Sequence, residues 1–193
     1  MLELVFFIMI SATLGALHMV APDHWVPLTM ISLKEHYNGG KITFLSLSIG
    51  FLHGFTSVIL SLFVIFIGIY FFPTYYIKIV SIFIIIAVCI YILFNSLVEG
   101  RTSTTAAKPT IIISVLPDLA VLPIIFYSVK FGNVYLLFIS FIYILSSMIS
   151  ITFVILLSNK GLSRGLSQVD PRYFDYMMVI MLAFTAVYIL FFS

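Results

Sequence analysis

The chain has 193 residues, 63% of them hydrophobic and 8% charged, with a formal net charge of +2. A soluble domain is about 45–50% apolar and about 25% charged, so this balance excludes a water-soluble globule and indicates an all-α protein crossing a bilayer several times. The low charge and the lack of a basic patch exclude nucleic acid as a partner, and the single cysteine, Cys89, excludes an internal disulfide or thiol relay.

A spanning helix needs about 20 mainly apolar residues, and six segments qualify: 2–34, 42–72, 75–97, 110–130, 133–158 and 173–193. Glu3, with no basic run before the first apolar stretch, predicts a retained first helix and no cleaved leader. The first two segments would each be about 45–50 Å long if straight, against a hydrocarbon core of about 30 Å, so they must tilt, bend or project. Pro22 and Pro27 offer the first a place to break, because proline lacks a backbone donor and clashes with the preceding turn. Pro117 and Pro123 do the same in the fourth. Ser167 and Asp170 read as caps for the last helix, with Asp175 just inside it.

Basic residues orient membrane helices. Lys34, Lys41, Arg101, Lys108, Lys160, Arg164 and Arg172 fall on one side, and only Lys78 and Lys130 on the other. The first set is therefore expected in the cytoplasm of a cell (plasma) membrane, with both termini outside. The polar stretch 99–109 (EGRTSTTAAKP) reads as a cytoplasmic linker within a single transmembrane domain, 1–193, dividing it into halves 1–98 and 110–193.

The halves echo one another. Val20-Ala21-Pro22-Asp23 in the first helix matches Val115-Leu116-Pro117-Asp118 in the fourth, and a second proline follows each, Pro27 and Pro123. An odd number of helices per half requires opposite insertion, which predicts two inverted three-helix repeats with proline-broken helices 1 and 4. Transporters of that architecture place their site near the midplane, where the repeats meet. Two unrelated proline kinks are the plainer alternative.

The chemistry concentrates in GALHMVAPDHWVPL. His18, Asp23 and His24 spell His-x4-Asp-His inside an apolar run, where charged groups cost about 2.5–3.5 kcal/mol each on insertion scales. His53 lies mid-way along the second segment. Because the two segments run in opposite directions, it is expected at a depth similar to His18. Gly50 and Gly54 bracket it at a spacing that allows another helix to approach, and Thr56 and Ser57 add polar lining to the same pocket. On one ideal helix His18 and Asp23 would point about 140° apart, so an unwound stretch at Pro22 is needed to turn them inward together. Such a stretch would also offer carbonyls as ligands. Imidazole with carboxylate suits nickel, cobalt or zinc. Binding should weaken as pH falls, since imidazole must be neutral to ligate. A lone membrane histidine often just hydrogen-bonds a neighbouring helix, and His53 alone reads as well that way. Asp118 reads equally as a backbone cap at a kink or as a ligand from the second half. Trp25 either packs in the core or stands beside the site, and His36 is expected to be solvated.

At these residues the chain resembles the nickel/cobalt transporter family and related permeases of the lysine-exporter superfamily, as a distant member. The resemblance covers mainly residues 14–60. It rests on His18, Asp23 and His24 for the first family motif. His53-Gly54-Phe55-Thr56-Ser57-Val58 is similar to the second, with glycine after the histidine instead of before it. The resemblance implies a six-helix core of two repeats and a permease for a divalent transition-metal ion. His18, Asp23, His24 and His53 would hold Ni2+ or Co2+, with Zn2+ also suited, as substrate and not as a prosthetic group. The alternative within the superfamily is an exporter of an amino acid or organic anion, whose carboxylate would sit at a helix N-terminus. No His-Glu-x-x-His or nucleotide-binding motif is present, so neither an enzyme nor a built-in ATPase is expected. A homo-oligomer is compatible with the chain.

Overall fold

The computed structural model describes residues 2–71, 76–102, 117–159, 170 and 172–192. Seven helices follow in order: α1 (Leu2–Val20), α2 (Pro22–Lys34), α3 (Gly39–Phe71), α4 (Ile77–Thr102), α5 (Leu122–Ser128), α6 (Asn133–Asn159) and α7 (Arg172–Phe192), with a short 3-10 turn at Val129–Phe131 after α5. Among the described residues, α1, α3, α4, α6 and α7 are long and apolar enough to cross a membrane. Large apolar side chains such as Phe44, Phe66, Phe83 and Phe184 stand outward, as a bilayer permits and water would penalise.

The expected first segment is two helices. α1 ends at Val20, Ala21 is extended (φ −59°, ψ 135°), and Pro22 opens α2, where its missing N–H is harmless. Pro27 lies inside α2 without ending it. The chain leaves α2 through His36, an exposed residue in the left-handed region (φ 49°), and Asn38 Oδ1 caps the start of α3 by accepting the Lys41 N–H at 2.8 Å. α4 continues through Thr102, four residues into the expected linker; the rest of that linker lies outside the described residues. The expected fourth span is described only from Pro117 on, where it holds α5 and the 3-10 turn. Here the first proline does not open a helix and Pro123 does, so the two halves use their prolines differently. Asp170 accepts hydrogen bonds from the Arg172 side chain and backbone N–H. The guanidinium contact holds its carboxyl below the usual range. Ser167 lies outside the described residues.

α6 is the central helix, packed against both α1 and α3. Glycines set the closeness of these contacts. A methyl on Gly50 would stand 2.7 Å from Met148 Cα, one on Gly54 2.9 Å from Ile144 Cα, and one on Gly15 2.9 Å from the Tyr143 carbonyl oxygen. Serine hydroxyls stitch α1 to α6: Ser11 donates to the Ile139 carbonyl at 3.0 Å and Ser146 to that of Ala12 at 2.5 Å. In a bilayer, where burying apolar surface drives little, small residues and such bonds hold helices together. α7 runs antiparallel to α1, since Tyr188 near its end stacks on Phe6 near the start of α1 at 4.0 Å. At that same end Lys130 donates to Glu3 at 2.7 Å and to Tyr127 Oη at 2.9 Å, and the Tyr127 hydroxyl donates to Glu3 at 3.1 Å.

Gly50→Ala is expected to force α3 from α6 and lower stability by about 1–3 kcal/mol, the usual range for overpacking. The thermal unfolding midpoint in detergent reads it. Gly39→Ala, whose added methyl meets nothing within 4 Å, serves as the control and should cause no loss.

Candidate metal centre

The break at Ala21 turns α2 so that His24 faces His18. Ala21 N–H donates back to the His18 carbonyl and His24 N–H to that of Ala21, both at 3.2 Å. The Val20 carbonyl would be orphaned at the break, and the Trp25 indole N–H donates to it at 2.9 Å. Trp25 is thereby a core residue, 2% exposed, that secures the kink. The expected unwound stretch with free carbonyls is thus a single residue with its neighbouring carbonyls engaged.

His53 approaches from α3. Its ring centroid lies 4.9 Å from that of His18 and 5.3 Å from that of His24, with His18 and His24 4.5 Å apart. One ligand nitrogen from each of the three rings falls within 4.8 Å of the others. Nitrogens bound at about 2.0–2.1 Å around one tetrahedral ion stand about 3.4 Å apart. A modest closing of the rings would therefore let all three share an ion. His24 and His53 are buried and His18 partly so. The side chain of Asp23 lies outside the described residues; its backbone is in the first turn of α2.

Asp118 comes from the second half and joins the cluster at its edge. Its Oδ2 stands 3.8 Å from His18 Nδ1 and accepts from the Tyr143 hydroxyl at 3.0 Å. Its Oδ1 accepts the Ala120 N–H at 2.8 Å. The carboxylate is therefore a local backbone cap and a neighbour of His18 at once. Among the described residues His18 Nδ1 makes no hydrogen bond, so a small approach of Asp118 would give it one. Histidine ligands to metals almost always have such an outer partner.

Ser57 links this turn to the histidine-bearing helix. Its hydroxyl donates to the His53 carbonyl at 2.7 Å and its oxygen accepts the Asp118 N–H at 2.8 Å. Thr56 also donates to the His53 carbonyl, at 3.0 Å. Gly50 and Gly54, expected to line the pocket, face the α6 backbone instead. A cavity of about 250 Å3 adjoins the cluster, lined among others by His18, Asp118, Tyr91, Asn95 and Asp175. Sequence reasoning did not bring Tyr143, Asn95 or Asp175 to the centre. Asp175 had been placed only at a helix start, Tyr143 sits in an apolar run, and Asn95 carries no motif.

Asp118→Ala should weaken binding of a divalent metal about 10–100-fold, the usual effect of losing an outer-shell partner, with Tyr143→Phe weakening it less; calorimetric titration with Co2+ measures both. No family model, curated protein or solved structure matches the chain.

Proposed function

We propose that the protein is a secondary transporter for a divalent transition-metal ion, nickel or cobalt first, with His18, His24 and His53 as the ligands and Asp118 as the outer carboxylate. Asp23 stays in the proposed ligand set on sequence grounds. The observation that carries the reading is the convergence of three imidazoles from three helices inside an apolar bundle. Imidazole suits nickel and zinc. In this reading the flux is driven by ion gradients or by a separate energising protein.

The packing supports two related halves, with the α5 segment as the counterpart of α1. If α1 with α2, α3 and α4 correspond to the α5 segment, α6 and α7, each contact between the halves has its counterpart. α1 meets α6 as α5 meets α3, and α1 meets α7 as α5 meets α4. The pairs α3 with α6 and α4 with α7 map onto themselves. An exporter of organic anions is less well supported, because among the described residues the cavity beside the cluster is lined by Asp118 and Asp175 and by no lysine or arginine.

Calorimetry on the purified protein should find one Ni2+ or Co2+ site. His18→Ala and His53→Ala should each cost more than about 100-fold in affinity, beyond what an outer-shell loss produces. Wild-type proteoliposomes should carry the metal and the variants should not. A wild type that binds no divalent transition metal overturns the reading.

A further inference from the structure

We infer that the cavity between α4, α7 and the Pro117–Leu119 turn is the path by which the ion reaches the three histidines, with Asn95 and Asp175 at its mouth. The inference rests on the metal-transport reading above. Of the three histidines only His18 lines the cavity, next to Asp118. An arriving ion would thus meet the His18–Asp118 edge first and find His24 and His53 behind it.

The volume suits the task. At about 250 Å3 the cavity holds an ion with several of its waters, each of which takes about 30 Å3 in the liquid. The charge suits it too. Asp118 and Asp175 line it, with Asn95 and Tyr91 beside them, and among the described lining residues none is a lysine or arginine. Acidic groups between low-dielectric walls concentrate cations and speed their arrival.

The mouth falls at a bilayer boundary. Asn95 lies four residues before Glu99, the first charge after the apolar run of α4, and Asp175 three residues after Arg172, where α7 begins. Both line one cavity, so these boundaries coincide in depth. The basic-residue distribution assigns this face to the cytoplasm. The opposite end is closed among the described residues. All seven residues of α5 are buried, Phe7 stacks on Tyr127 at 4.8 Å, and Glu3, Tyr127 and Lys130 bridge α1 to the end of α5.

The test measures how fast Ni2+ or Co2+ loads the detergent-solubilised full chain by stopped flow. Asn95→Cys is made in a Cys89→Ser background, so that the introduced thiol alone reacts with a bulky methanethiosulfonate. The adduct should slow loading about tenfold or more, and reducing the mixed disulfide should restore it. Separately, Asp175→Asn should slow loading several-fold at low ionic strength, with the difference shrinking as salt is raised. An adduct that loads as fast as the free thiol, together with an Asp175→Asn rate equal to wild type at low salt, overturns the path and leaves the metal centre standing. A wild type that takes up neither metal at any rate overturns the centre and the path with it.

Discussion

Hydrocarbon offers no hydrogen bonds, so a helix that breaks at membrane depth must satisfy its own freed backbone groups. The junction at Ala21 meets this demand with few parts. Pro22 has no N–H to satisfy, Trp25 supplies a donor to the Val20 carbonyl, and the neighbouring carbonyls of His18 and Ala21 accept from within the turn. Everything else at the centre follows from that solution. Because the break spends a single residue, His18 and His24 stay on rigid helical segments, and their relative position is set by backbone geometry instead of by a mobile loop.

The third imidazole is placed by a different device. α3 carries His53 to the cluster only because Gly50 and Gly54 let its backbone lie almost against Met148 and Ile144 of α6. α1 reaches the other side of α6 through Gly15. α6 is thus a common reference for α1 and α3, which bear His18 and His53, and it also carries Tyr143, whose hydroxyl holds Asp118. The helices of His18 and His53 and the carboxylate of Asp118 are indexed to one element.

The helical, membrane-embedded character was legible because composition and run length suffice for it. The approach of His18 and His53 was also legible, since two antiparallel segments with mid-length histidines have few other registers. The shape of the break was not. Proline says where a helix is disturbed, whereas the number of residues left unwound depends on whether something nearby can cap the freed carbonyl, and Trp25 carries no motif that announces this. Asp118 was left between cap and ligand because both roles use the same carboxylate; the structure has it capping Ala120 with one oxygen and approaching His18 with the other. Gly50 and Gly54 carried the right spacing for a close helix contact, but spacing alone does not say which helix approaches or that they would leave the pocket lining.

The hydroxyl of Ser57 has a mechanical consequence. It is committed at both ends, its proton to the carbonyl of His53 and its oxygen to the N–H of Asp118 across 61 positions of sequence. A second half that rocks away from the first must therefore either drag the turn of α3 that bears His53 or strand a buried N–H. Stranding it costs about 1–3 kcal/mol, a factor of roughly five to 150 in population, unless water arrives to take the proton. Wetting of the interface and release of the histidine cluster would then be one event, and the helix that carries His53 would register any motion of the opposite half.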